Sequence, residues 1–265
     1  MRRRKLYGVV CTFALLGAGS AFGQQRDEGD RCARSELKKM TDFLARQRSF
    51  TVNSERSSDV VVQGKAQTLR SRGRIALQRP DKLRVDREGD LGTGSAWYDG
   101  RQFSVMQKGT HTYATTKAPP TIDELMDQAE EAIGWVPPGA DLLSSDPGEA
   151  LRSGAVSAGR CLSHTEIDGT PVTVVAFDGL DARWQISIED SATPLPRELV
   201  IAPKDDPEVK RQTVKLSGWQ LNPKLDPQLF TFTPPKDAER VAFLAAKQPP
   251  EKRHVPGQGR RGVER

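Results

Sequence analysis

The sequence predicts a mainly β, α+β fold: a long antiparallel sheet of about ten to eleven strands with helices packed in its concave face. Three observations predict it. Apolar and polar residues alternate with period two in most runs between residues 50 and 232. Two Asp-Gly pairs separate such runs, which is the favoured chemistry of a tight hairpin turn. Two further stretches, beginning at Ser35 and Thr121, carry one apolar stripe at helical spacing. A one-faced helix must bury its stripe, and the sheet offers the only large apolar partner.

The N-terminus has a separate purpose. Arg2, Arg3, Arg4 and Lys5 precede an apolar run from Leu6 to Ala18, and Ala21-Phe22-Gly23 is a small-x-small cleavage pattern. Residues 1–23 are therefore expected to be an export signal, cut between Gly23 and Gln24. The apolar run is too short and Gly-rich to span a bilayer. Val10 before Cys11 is bulky, and few apolar residues precede it, so acylation at Cys11 is not expected. Residues 24–34 are polar and read as a flexible N-terminus.

From Ser35, Leu37, Met40 and Leu44 mark a helix. Phe50, Val52, Val60 and Val62 then alternate as a strand, and Arg74–Leu77 and Lys82–Val85 read as two more, joined through Arg79-Pro80-Asp81. A two-residue turn at Asp99-Gly100 pairs Tyr98 with Arg101, Trp97 with Gln102 and Ala96 with Phe103. Ala96, Tyr98, Phe103 and Val105 then share one face, and Trp97, Gln102 and Ser104 the other. Lys108-Gly109 turns the chain into His111–Ala114. Thr121-Ile122-Asp123-Glu124 is a capping box, opening a helix striped by Ile122, Leu125, Met126, Ala129 and Ile133 and stopped at Gly134. Ala140–Leu143 reads as a short helix. Asp168-Gly169 joins Cys161–Ile167 to Thr170–Phe177. Strands follow at Trp184–Ile188, at Leu199–Ile201 and at Val214–Leu216, and Phe230 and Phe232 alternate before Pro234-Pro235.

Removing 23 of 265 residues leaves 242, enough for one large domain. The net charge of +5 includes four positive charges of the leader. The segment from Lys236 onward carries a further excess of four, so the body between is weakly acidic. Such a body is a poor nucleic-acid binder, because phosphate contacts need clustered Lys and Arg. The end of the chain, 243–265, reads as a disordered basic tail, touching anionic lipid at most transiently. Cys32 and Cys161 remain after cleavage. They either pair, as thiols often do in an oxidising compartment, or stay separately buried.

Several segments carry a resemblance. They are Trp97–Gly100, Tyr113 with Ala118–Leu125, Ala140–Leu143, and Gly159 with Cys161–His164. They continue with Asp181 and Trp184–Ile188, Pro194–Arg197, and Leu229–Phe232 with Pro234 and Ala238. In order and spacing they resemble the lipoprotein-carrier superfamily typified by LolA and LolB. More closely they resemble an uncharacterised family of predicted periplasmic proteins with that fold. The similarity covers about residues 35–242. This chain departs at Ser187, where relatives tend to carry an aromatic, and at Ser163, where they tend to carry a His. The resemblance implies a LolA-like incomplete β-barrel over 35–242, a periplasmic location, and a helix-covered concave cavity that takes acyl chains in LolA-like carriers.

His111, His164 and His254 show no metal-ligand spacing with Cys or carboxylates. Ser163 and His164 point to opposite faces of a strand, so no Ser-His-Asp site is expected. His164, opposite Thr173 and on the face of Leu162, Val175 and Phe177, reads as a polar handle in a cavity or as a packed, hydrogen-bonded histidine. The stripe Ile122, Leu125, Met126 and Ile133 reads as core or as the inner wall of a lid. The same choice holds for Phe103, Val105, Trp135, Trp184, Ile186 and Trp219. The expectation is a soluble, monomeric protein that binds a hydrophobic ligand (an acyl chain, a lipid or a lipoprotein lipid) without catalysis or cofactor. The alternative is an envelope protein–protein interaction module with a filled core.

Overall fold

The computed structural model describes residues 18–133, 137, 139–152 and 158–243. Helix α1 (Ala18–Ala45) leads into six strands: β1 (Ser49–Val62), β2 (Lys65–Gln78), β3 (Lys82–Gly89), β4 (Gly94–Tyr98), β5 (Gln102–Gln107) and β6 (Thr112–Lys117). Helix α2 (Ile122–Ile133), a 3-10 turn (Ala140–Leu143) and helix α3 (Pro147–Arg152) follow. The chain then forms β7 (Ala158–Ile167), β8 (Thr170–Asp178), β9 (Ala182–Glu189), β10 (Pro196–Pro203) and β11 (Val209–Leu221). A second 3-10 turn (Pro227–Phe230) precedes the two-residue β12 (Glu239–Arg240).

All strands join one sheet in the order β12-β6-β5-β4-β3-β2-β1-β11-β10-β9-β8-β7. Pairing is antiparallel throughout, except that β12 lies parallel to β6. The sheet is open and curled, an incomplete barrel with helices in its concavity. Its twelve strands exceed the expected ten to eleven because the short edge strand β12 leaves almost no periodic signal.

Turn chemistry sets the register. Asp168 (φ 50°) and Gly169 (φ 75°) are both left-handed, so Ile167 faces Thr170 and His164 faces Thr173. At Asp99-Gly100 the structure corrects the expected pairing: Tyr98 faces Phe103, Trp97 faces Ser104 and Ala96 faces Val105. The Asp99 carboxylate accepts from the N–H groups of Arg101 (2.9 Å) and Gln102 (2.8 Å), and the hairpin closes one residue later. That slip moves each partner by two positions, so every side chain keeps its expected face.

Residues 24–34, expected to be flexible, are instead part of α1. Polar residues can still hold a helix when its sides are used. Arg34 pairs with Asp30 at 2.7 Å, Ala33 is fully buried, and Asp30 also accepts from the Gly159 N–H of β7 at 2.6 Å. A disulfide joins Cys32 to Cys161, their Cα atoms 5.9 Å apart. Gly159 makes this docking possible, because a Cβ there would lie 2.7 Å from the Phe177 ring and 3.0 Å from the Ala33 Cβ. Farther along α1, Leu37, Met40 and Leu44 enter the core against Phe50, Val52, Leu77 and Ile186.

Phe230 and Phe232 do not form a strand. Asp226 caps a 3-10 turn by accepting from the Gln228 N–H, and Phe230 is buried. The chain then crosses the convex face, where Phe232 lies 4.8 Å from Trp97 and 5.2 Å from Tyr113. Arg84 stacks on Trp97 at 4.5 Å and reaches the Leu229 carbonyl. Of the expected tail, residues 244–265 lie outside the described residues, as do 1–17 of the expected signal. Gly23 and Gln24 fall within the backbone of α1.

Candidate functional site

The register from β1 to β5 arranges the concave face in rows. Phe50, Leu77, Leu83, Tyr98 and Phe103 form the first, and Val52, Ile75, Val85, Ala96 and Val105 the second. Ser54, Gly73, Arg87, Gly94 and Gln107 form the third, and Arg56, Ser71 and Gly89 the fourth. The face is thus apolar for two rows and then turns polar. On the other arm, Leu199, Ile186 and Val175 align behind Val214, followed by Ile201, Trp184 and Phe177.

Helix α2 closes the first rows. Thr121 caps it by accepting from the Glu124 N–H at 3.2 Å, and the Ile122 N–H donates to the Pro80 carbonyl at 2.9 Å. The buried Tyr98 hydroxyl donates to the Pro119 carbonyl at 2.6 Å, just ahead of the helix. Burial, with Asp81, Glu124 and Asp99 nearby, pushes the Tyr98 phenol up to about 12. The Asp123 carboxylate accepts from the Ser145 N–H at 2.9 Å, which ties α2 to the segment after it. Burial alone would raise Asp123. Hydrogen bonds from Ser145 and Ser144, and the charge of Arg79, outweigh it and hold the carboxyl below its usual range.

Arg79 is the polar centre under this lid. Its Nη1 donates to the Leu143 carbonyl at 2.9 Å, and its guanidinium lies 5.9 Å from the Phe50 ring centre. Among the described residues its Nε and Nη2 are buried without hydrogen-bond partners. Burial lowers its affinity for the proton, partly offset by Asp123. Asp141, next to the lid, is shifted upward, chiefly by burial.

The structure divides the sequence-predicted residues. Ile122, Leu125 and Ile186 are buried in the closed core. Phe103, Val105, Met126, Trp184 and Trp219 are half-buried. Trp184 stacks on Phe177 at 4.5 Å, and Trp219 lies 5.2 Å from Phe50 with its Nε1 donating to the Pro196 carbonyl at 3.2 Å. The Ile133 side chain and Trp135 lie outside the described residues.

His164 is neither enclosed nor on the face of Leu162. Its side chain is 77% exposed, with Nδ1 2.9 Å from the Thr173 hydroxyl and 3.4 Å from Asp190. A bulge between Cys161 and Ser163 rotates the strand and leaves Leu162 facing solvent. The histidine borders an open, largely polar cavity of about 560 Å³ with Glu36, Lys39, Phe43, Glu189 and Asp190. Among the described residues no cluster of His, Cys, Asp or Glu is arranged to hold a metal ion, and no helix is long and apolar enough to cross a membrane.

Sequence reasoning missed Arg56, Arg87 and Arg79. A signal existed for the first two: Arg56 is in phase with Phe50 and Val52 on β1, and Arg87 with Leu83 and Val85 on β3. Their in-phase positions put both guanidiniums on the concave side.

A family model described as predicted periplasmic protein (DUF2092) matches residues 33–244. No curated protein matches the chain in sequence. Among solved structures, the chain is similar to an uncharacterised conserved protein from Thermus thermophilus, with 12% identity, 80% of this chain and 99% of that chain covered, and a TM-score of 0.46. It is also similar to the lipoprotein LppX of Mycobacterium tuberculosis, with 12% identity, 74% and 98% covered, and a TM-score of 0.46. A LolA superfamily protein from Nitrosomonas europaea shares 13% identity over 76% of this chain and 97% of that one, with a TM-score of 0.34.

Proposed function

The chain belongs to the DUF2092 family of predicted periplasmic proteins, and we propose that it is a periplasmic binding protein for a hydrophobic ligand. The ligand is an acyl chain, a lipid or a lipoprotein lipid, held on the concave face of the sheet. One observation carries this reading. Val85, Ala96, Phe103 and Val105 form a half-buried apolar strip beside the closed core, with Met126 of α2 half-buried against that core. Burial would supply the affinity: about 0.8 kcal/mol per methylene, so a twelve-carbon chain gains roughly 8–10 kcal/mol before ordering costs. Entry and release require α2 to move, breaking the bond from the Ile122 N–H to the Pro80 carbonyl and the bond from the Tyr98 hydroxyl to the Pro119 carbonyl just ahead of the helix.

The test is native mass spectrometry and lipid extraction of protein purified from the periplasm, followed by titration with a fluorescent fatty acid. Met126→Asp should weaken binding at least tenfold while leaving secretion intact. Absence of both co-purified lipid and fatty-acid binding would sink the carrier reading.

One observation favours the second reading, an envelope interaction module. Ile122, Leu125 and Ile186 fill part of the concavity as ordinary core. Cross-linking in intact cells that captures one specific envelope protein, from a protein devoid of lipid, would support that module instead.

A further inference from the structure

The concave face carries charge where its apolar strip ends. Arg87 follows Val85 on β3 and has glycine on both sides, Gly73 on β2 and Gly94 on β4. Arg56 lies one row farther along on β1, between Ser71 and Val214. No carboxylate shares these rows. Asp86 and Glu88, the neighbours of Arg87 in sequence, point to the opposite face, where they engage Arg84 and Arg72. Among the described residues neither Arg56 nor Arg87 makes an ion pair or a side-chain hydrogen bond, although Arg56 is only partly exposed. Burial and the like charge of Arg87 both disfavour the Arg56 cation. Two guanidiniums held near each other without a counter-charge form a forked donor set suited to an anion.

We propose that Arg56 and Arg87 bind the phosphate monoester head of a single-chain amphiphile whose tail lies along the apolar strip. This rests on the hydrophobic-ligand reading above and assigns the ligand's head group. The charge count selects phosphate, since a phosphate monoester carries about −1.5 to −2 near neutral pH and a carboxylate carries one charge. The placement suits such a ligand, because Arg87 lies one row beyond the row of Val85, Ala96 and Val105, and Arg56 one row farther.

The experiment displaces the neutral dye N-phenyl-1-naphthylamine from the full-length protein. The competitors are dodecyl phosphate, dodecanoate, monododecanoylglycerol and inorganic phosphate. Wild-type protein should prefer dodecyl phosphate to the neutral glyceride by at least tenfold. The double variant Arg56→Gln/Arg87→Gln should lose that preference and keep its glyceride affinity within twofold. Equal losses for phosphate and glyceride would overturn the assignment, because the arginines would then be structural. Equal wild-type affinity for dodecanoate and dodecyl phosphate would overturn the choice of phosphate. Competition by inorganic phosphate as strong as by dodecyl phosphate would replace the amphiphile with a free-anion site. If the dye and all four competitors fail to bind, the hydrophobic-ligand reading itself falls.

Discussion

Removing the bridge between Cys32 and Cys161 should cost this protein much of its stability. The link closes a sequence separation of 129 residues, taking in β1–β6, α2 and α3. In the chain-entropy model a loop of that length restricts the unfolded chain by about 5 kcal/mol, and a measured loss of about 3–5 kcal/mol is expected from Cys32→Ser/Cys161→Ser. Domains are stable by only about 5–15 kcal/mol, so the change is large. The native packing of Ala33, Leu37 and Met40 does not depend on the sulfur atoms, so the folded state should survive. Urea unfolding followed by tryptophan fluorescence is the assay. With a slope of about 2 kcal/mol per molar, the midpoint should fall by roughly 1.5–2.5 M. Reduction of the wild-type protein should reproduce the shift. A midpoint lowered by less than about 0.5 M at unchanged slope would show that the covalent link does not restrain the unfolded chain as argued.

Further predictions concern the lid and the back of the sheet. Tyr98→Phe should destabilise by about 1 kcal/mol through the lost bond to the Pro119 carbonyl. Because folding raises the Tyr98 phenol from 10.0 to about 12, its contribution is complete below pH 10 and disappears between pH 10 and 12. Phenolate absorbance in the folded protein should show one late-titrating tyrosine, and uniform titration near pH 10 would contradict the assignment. Folding depresses Asp123, so its contribution is present above the ordinary carboxylate range and is lost as pH falls through the folded value. Thermal melts of wild type and Asp123→Asn should therefore differ at neutral pH and converge in acid; a constant gap would refute this. Phe232→Ala should cost about 1–3 kcal/mol, less than a fully buried Phe, and shift Trp97 emission to the red. Unchanged emission would separate Phe232 from Trp97.

Much of the fold is legible locally. The left-handed pair Asp168-Gly169 specifies its hairpin and places His164 opposite Thr173. Thr121 with Glu124 marks the start of α2, and the stripe of that helix contains the buried Ile122 and Leu125. Where the sequence misleads, a side chain has found a partner that local pattern does not reveal. The Asp99 carboxylate moves its hairpin by one residue, and Asp226 turns an expected strand into a 3-10 turn. The polar residues from 27 to 34 lack a helical stripe strong enough to notice, yet Gly159 and Cys161 of β7 hold them as helix.

Most turns and alternations, and hence the faces that most strand residues take, were set by the sequence alone, because these depend on neighbours a few bonds away; the slip at Asp99 and the bulge at Leu162 were not. So was the family. Which apolar residues close into core and which stay half-open was settled by long-range packing. Ile186 and Phe103 alternate equally well, but only Ile186 lies fully buried in the closed core. Only the register of separate strands brought Arg56 and Arg87, 31 positions apart, to the end of one apolar strip. Cross-strand neighbours arise from long-range pairing, and a single strand's pattern carries no record of them.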